Sequence, residues 1–369
     1  MIQILDLSEQ YAALRPQILE AVDAVFTSGM LINGPNVKAL ETEVARYLSA
    51  EYAVGLNSGT DALHLALRAL DIGAGDEVIT TPFTFVATTE AIGIVGATPV
   101  FVDIDPSTYN IDPELIEAAI TPRTRAILPI HLYGAPAPME RIMEIARKHK
   151  LAVIEDCAQA IGAKIGDRFV GTFGEFGCYS FFPTKNLGAY GDGGMLTTND
   201  KSLADRARSL RAHGGRVKYY HEELGVNSRL DEVQAAILRV KLPHLESWIE
   251  RRRAVAQRYS EALGGLGIVT PRNDAGTRHV FHQYTVRVQD RNRVQEALRE
   301  RGIQTMIYYP VPLHMQKVHA HLGLSEGTYP HSEAAALEVL SLPMFPELSA
   351  QTQQQVVEAV RAVLEPVNA

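Results

Sequence analysis

The chain reads as an α/β protein: a large domain built on a mostly parallel sheet between helices, then a smaller α+β domain. Three observations predict this. Between residues 50 and 200, short apolar runs alternate with amphipathic helical runs, the pattern of strand–helix–strand units. The apolar runs are nearly continuous, as strands buried on both faces require. After about residue 260 the elements become shorter and more polar. A chain of 369 residues also exceeds one core of ordinary size, so two domains are expected, at 1–248 and 249–369.

Taken in order, TDALHLALRAL predicts a helix and EVITT a strand. Thr89 to Val95 predicts a short helix, PVFVDI a strand, Pro113 to Ile120 a helix and RAILPIHL a strand. Pro138 to Lys150 carries Met139, Ile142, Met143, Ile145 and Ala146 toward one side of a helix. LAVIED, GCYSFF and GGMLTT are the next strands. Arg229 to Tyr259 fits one long helix, interrupted or kinked near Pro243. GGLGIVTP predicts a turn and strand, HQYTVRV a strand, RNRVQEALRERG a helix, and a last helix starts near Ala350.

Composition removes several function classes. The formal net charge is −8 and there is no basic block, so the positive footprint of a nucleic-acid binder is missing. Arg251-Arg252-Arg253, the densest basic run, reads as a solvated helix face. Cys157 and Cys178 make no disulfide framework, and a reducing cytoplasm is the expected setting. The first residues lack a basic region and a cleavage-like site, so no signal peptide is predicted. Val78 to Val102 is long and apolar, but Glu90, Pro82 and Pro99 argue for soluble strands around a helix rather than a membrane span.

In sheets of this kind ligands gather at the carboxyl ends of the strands. Those ends are Thr81–Phe85, Asp103, His131, Asp156 and Ser180 onward. In SFFPTKNLGAYGDGG, Lys185 leaves an apolar strand inside a glycine-rich turn. Desolvation there would lower its pKa and free the amine for Schiff-base chemistry. From this segment alone it reads equally as a surface-loop lysine. In LAVIEDCAQA, Asp156 at a strand end can pair with a protonated pyridine nitrogen or simply cap the next helix. In NSGTDALHLAL, Ser58, Gly59 and Thr60 open a helix, either as an anion cradle or as an ordinary N-cap. In TPFTFVATTE, Phe85 can stack on a planar ring or join a core. His314, His319 and His321 lie close in sequence, but their spacing matches no i, i+4 helical pair and no acidic cluster accompanies them, so no metal site is predicted.

In this order and combination the motifs resemble the DegT/DnrJ/EryC1/StrS family of sugar aminotransferases. The resemblance is carried by GPNVKALE, NSGTDALHLALRAL, GDEVITTPFTFVATTEAI, PVFVDIDP, TPRTRAILPIHLYG, VIEDCAQAIGA, SFFPTKNLGAYGDGG, GVNSRLDEVQAAIL and LSLPMFP, between about Leu5 and Pro346. It implies the type I fold of pyridoxal 5′-phosphate (PLP) transferases, like that of aspartate aminotransferase. It implies that Lys185 binds PLP as a Schiff base and shuttles the proton, and that Asp156 pairs with the pyridine nitrogen. Gln159 would lie beside the ring and Phe85 would stack on it. Ser58, Gly59, Thr60 and Ser180 would hold the phosphate, with Asn227 reaching over from the neighbouring subunit of a homodimer.

GGRVKYYHEELGVNSRLDEVQAAIL, HQYTVRV and YYPVPLHMQ resemble the members that aminate C3 of a 3-keto sugar linked to dTDP or UDP, with L-glutamate as donor and 2-oxoglutarate as product. C4 amination is the alternative. Lys218, Tyr219, Tyr220, Arg229, Tyr308 and His314 are the candidate substrate contacts. Arg229 reads equally as a structural ion-pair partner. The chain departs from many relatives at Leu31, where they carry an aromatic, and at Tyr308, where they carry His. Relatives that act as sugar dehydratases have histidine in place of the lysine. Some members were first described as regulators, a reading that would need the basic face this chain lacks.

Overall fold

The computed structural model describes residues 1–215, 217 and 219–364. Two helices not foreseen from the sequence come first. α1 (Ser8–Ser28) buries Gln10, Leu14, Ile18 and Val25 along one stripe, and Gly29 ends it in the left-handed conformation. α2 (Pro35–Leu48) starts with proline in its first turn and buries Val37, Leu40, Val44, Ala45 and Leu48. The amides at its start are taken by the fully buried Glu232 carboxylate, which accepts from Asn36 and Val37. A side chain at Gly34 would strike that carboxylate at 2.7 Å, which explains the glycine there.

The strands and helices that follow are β1 (Tyr52–Leu56), α3 (Gly59–Ala69), β2 (Glu77–Thr80), α4 (Ala87–Ile94), β3 (Thr98–Phe101), β4 (Thr124–Ile127), α5 (Met139–His149) and β5 (Ala152–Asp156). Next are a small hairpin, β6 (Lys164–Ile165) and β7 (Arg168–Phe169), then β8 (Phe176–Ser180), β9 (Gly194–Thr198) and α6 (Lys201–Leu210). One seven-stranded sheet has the order β1-β9-β8-β5-β4-β2-β3. The run β8-β5-β4-β2-β3 is parallel, and β9 is antiparallel to both its neighbours. β2 and β9 are buried along their whole length, as expected for central strands covered on both faces.

α7 (Glu232–Lys241) and α8 (Leu245–Leu263) follow, separated by a 3-10 turn at Leu242–His244 that contains Pro243. The kink expected near Pro243 is therefore present. α8 belongs to two cores: Leu245, Trp248 and Ile249 pack with α1 and α2, while Val255, Ala256, Tyr259 and Leu263 pack in a second, smaller core. That smaller core is completed by β11 (Tyr284–Arg287), α9 (Arg291–Glu300), β12 (Val339–Leu342) and α11 (Ala350–Leu364), with β11 and β12 paired antiparallel; β10 (Thr277–Arg278) pairs with β6, and α10 (Pro330–Glu338) packs in a separate cluster with Phe83, Ile104 and Tyr133. Ile2 and Leu5 pack into the same core, and Ile4 accepts from the Met344 amide at 3.1 Å.

Three expectations need correction. Pro113 to Ile120 forms two 3-10 turns, Pro113–Leu115 and Glu117–Ala119, instead of a helix. Ile116 alone is fully buried there, too little apolar area to hold an amphipathic face down. GGLGIVTP forms no strand; Val269 makes a single bridge to Arg287. Arg252 is not on a solvated face. It is 3% exposed and its guanidinium donates to the carbonyls of Phe281, His282 and Met344.

Candidate active site

β1, β2, β5 and β8 all end at one edge of the sheet, and the β9 strand begins there. A cavity of about 470 Å³ opens over that edge. Ser58, Gly59, Thr60, Phe85, Asp156, Gln159, Ser180, Lys185 and Tyr308 all line it, together with Ile4, Leu5, Asp192, Arg252, His282, Gln283 and Tyr309. Most residues singled out from separate sequence motifs thus converge on one space.

The cradle is built by close backbone packing. Ser58 caps α3, its hydroxyl accepting from the Asp61 amide at 3.1 Å. A side chain on Gly59 would meet the Ser180 Cβ at 2.8 Å, and one on Gly194 would meet the Ser58 carbonyl at 2.2 Å. Only glycines let the start of β9, the end of β8 and the start of α3 approach this closely. The first amides of α3 have no carbonyl of their own helix to bond, and the helix dipole adds positive potential. An anionic group of phosphate size is what such a terminus suits.

Across the cavity, Asp156 ends β5 and is 6% exposed. Burial raises its carboxyl pKa; hydrogen bonds from the Ala158 amide (3.1 Å) and the Thr88 hydroxyl (3.0 Å), with the Lys185 charge, work against that rise. A cationic partner would hold it ionised. Lys185 sits in the turn after β8, fixed by its own amide donating to Phe182 at 2.8 Å. Burial pulls its ammonium down to about 8, against the opposing pull of Asp156. That shift raises the free-amine fraction near neutral pH, the direction a nucleophilic lysine needs.

Phe85 is 55% exposed although apolar, and faces the cavity with its ring centroid 6.1 Å from that of Tyr309. Gln159 accepts from the Tyr133 amide at 2.6 Å and donates to the Tyr309 hydroxyl at 3.1 Å. Tyr133 holds a positive φ of 58°, and its hydroxyl donates to the Tyr308 carbonyl.

Several lining residues went unmarked as site residues in the sequence, among them His282, Gln283 and Arg252. His282, 9% exposed, keeps its imidazole well below the ordinary range because of burial and then the nearby Lys185 and Arg252 charges. Gln283 and Arg252 flank it. The signal available was HQYTVRV, but strand alternation does not separate a residue facing a cavity from one facing a core.

The remaining candidates lie elsewhere. His314 is buried away from the cavity, with Nε2 3.0 Å from Glu333 and its ring against Tyr329. Tyr219 and Tyr220 are 80% and 73% exposed on a loop, beside the exposed Val217 and Leu224. Lys218 lies outside the described residues. Asn227 is exposed and bridges Ala212; Arg229 is half-buried, off the cavity, and makes no ion pair among the described residues. Leu31, 49% exposed, lines a separate shallow groove of residues 29–35 and 38.

His131, Glu155 and Cys157 bring their ligand atoms within 4.8 Å of one another. They are already spent. His131 accepts from the Ala137 amide at 2.9 Å and donates to Glu155 at 3.1 Å, and Glu155 also accepts from the amides of Gly171, Phe173 and Gly174. Asp103 likewise holds the start of α10 through His331 and Ser332. These two strand-end residues are structural, whereas Asp156 and Ser180 face the cavity.

A lysine amine, a buried carboxylate, an exposed aromatic ring and a helix start that share one cavity are the set used by transferases of the lysine–cofactor class. The particular relationship is given by the sequence as a whole: the chain belongs to the DegT/DnrJ/EryC1/StrS aminotransferase family, whose model matches residues 13–361. It is 56% identical to a "pleiotropic regulatory protein" of Geobacillus stearothermophilus, covering 97% of each chain. It is 51% identical to a UDP-N-acetyl-3-dehydro-α-D-glucosamine 3-aminotransferase of Acidithiobacillus ferrooxidans, covering 98% of each. The crystal structure of Streptomyces venezuelae DesV with a ketimine intermediate superposes with a TM-score of 0.97 at 46% identity, over 100% of this chain and 99% of that one. A sugar aminotransferase described as putative, Spr1654 of Streptococcus pneumoniae in its PLP-form, superposes at 0.90 and 27% identity, over 96% and 97%.

Proposed function

We propose that this enzyme moves the amino group of L-glutamate to C3 of a 3-keto sugar carried on dTDP or UDP, with PLP on Lys185. The observation that carries the reading is the placement of Lys185 and Asp156 on one cavity with the open end of α3. The names of the relatives supply the sugar class and the carbon. The residues fit PLP chemically: a terminus for the phosphate, a carboxylate for a pyridinium nitrogen, an exposed ring for stacking and an amine for the aldehyde.

Bound there, PLP supplies an electron sink that makes the donor's Cα proton acidic. The protein supplies the rest. Asp156 would keep the ring nitrogen protonated, Ser58, Gly59, Thr60 and Ser180 would hold the phosphate, and Phe85, exposed into the cavity, would cover the ring and exclude water. Gln159 is fixed by Tyr133 and Tyr309, so it can orient the ring edge. Lys185 Nζ, on the same cavity, would act as general base toward the donor's Cα proton and as the acid that returns one. The two half-reactions share this site, so the kinetics are ping-pong.

The exposed loop with Tyr219 and Tyr220, and the off-cavity Asn227 and Arg229, fit a homodimer in which each copy reaches the other's site. Cys157 and Cys178 are free, buried thiols, consistent with a reducing cytoplasm, and no helix among the described residues is long and apolar enough to cross a membrane. Purified protein, loaded with the amine form of PLP, is to be mixed with 3-keto and 4-keto nucleotide sugars and the products read by NMR. Amination at C3 is expected. Amination at C4 alone would replace the positional assignment. Multiple turnover by Lys185→Ala without added amine would remove the lysine assignment.

A further inference from the structure

Lys241 is the last residue of α7 and is 1% exposed. An ammonium that deep loses its hydration, a cost met only by good partners. Its partners here are unusual. Nζ donates to the carbonyl of Gly188, and the rings of Tyr190 and Trp248 lie 4.9 Å and 5.9 Å from it. The C-terminal end of α7 adds negative potential. The Glu347 carboxylate acts on it at longer range, and no carboxylate stands within ion-pair distance of it among the described residues.

What Lys241 grips is the turn that carries Lys185. Gly188 stands three residues after it. A side chain at Gly188 would lie 2.3 Å from the Pro183 carbonyl, so the turn folds back on itself at that point. The turn is closed by Lys185 donating to Phe182 and Ala189 donating to Phe181, each at 2.8 Å. Gln234, seven residues before Lys241 and so on the same face of α7, accepts from the Tyr190 amide at 2.9 Å and donates to its carbonyl at 3.3 Å.

We infer that Lys241 is a positioning residue for Lys185: its charged grip on Gly188 sets where the reactive amine stands in the cavity. The inference rests on the proposed role of Lys185. The step it serves is condensation of that amine with the PLP aldehyde, forming the C=N bond and releasing one water. A misplaced nucleophile loses rate steeply, whereas burial by itself asks nothing of a positive charge. Replacing a buried ion with an apolar side chain of similar length is often neutral or stabilising. A purely structural role and a positioning role therefore predict different outcomes for Lys241→Met.

The test is cofactor capture by the cofactor-free full-length protein, followed as visible absorbance after PLP is added. Lys241→Met is expected to capture PLP about tenfold or more slowly than the wild type, with its thermal midpoint near the wild-type value. Lys241→Arg, which keeps charge and donor, is expected to recover most of the rate. Capture by Lys241→Met at the wild-type rate overturns the inference. Should that variant fail to fold, Lys241→Gln, polar but too short to keep the grip, carries the same expectation and the same overturning result. Absence of lysine-bound absorbance in the wild type would instead overturn the reading of Lys185.

Discussion

The side-chain amide of Gln159 donates to the Tyr309 hydroxyl across 3.1 Å while its oxygen accepts from the backbone of Tyr133. One side chain thereby joins the loop after β5, the turn after β4 and the segment before Leu313. All three form the same wall of the cavity.

Gln159→Leu should uncouple that wall. It strands the buried Tyr133 amide and frees the Tyr309 hydroxyl, at a cost of about 1–3 kcal/mol. Urea unfolding of the cofactor-free variant should show the loss, and the PLP-bound form should release cofactor faster on dilution.

Asp156→Asn keeps the shape and can keep the Thr88 and Ala158 contacts, but it removes the charge facing the ring nitrogen. The turnover number should fall by roughly a hundredfold or more, as when one strong electrostatic partner is deleted. Unchanged turnover would separate Asp156 from the chemistry.

Two buried lysines, Lys185 in the cavity and Lys241 behind its turn, give a pH signature. Lys185 and Lys241 are each pulled from 10.5 to about 8 by burial. Between those values the unfolded chain binds more protons than the folded one, so the cofactor-free fold gains stability as pH rises through that window. Below about pH 8 the cost is fully present. Urea midpoints should rise from neutral pH toward alkaline pH, and the rise should flatten when both lysines are replaced by methionine. PLP capture should also quicken as pH climbs through about 8, because free amine at Lys185 attacks the aldehyde.

The centre of the site was legible because its residues sit at strand ends and helix starts, where local sequence dictates direction. Ser58–Thr60, Asp156 and Lys185 are of that kind. The other wall was not. Arg252 sits in a run of three arginines, and no local pattern shows that a shared helix turns the middle one into three carbonyls. His282 and Gln283 lie at the start of a strand whose alternation is the same for core and cavity. α1 and α2 were overlooked because their apolar stripes are thin and their ends are marked only by Gly29 and Pro35. Lys241 drew no notice in the sequence, since its burial depends on Tyr190 arriving from a distant turn and Trp248 from the next helix.

Ile4 and Leu5 line the cavity, and the Ile4 amide donates to Gln304, 300 positions away in the chain. Met344 donates back to Ile4. The part of the wall built by Ile4 therefore cannot close until Gln304 and Met344 have left the ribosome. Ser58, Asp156 and Lys185 emerge long before that. A nascent chain can assemble the sheet and still lack this wall, so competence for catalysis is acquired after the sheet, when the later-made segments arrive.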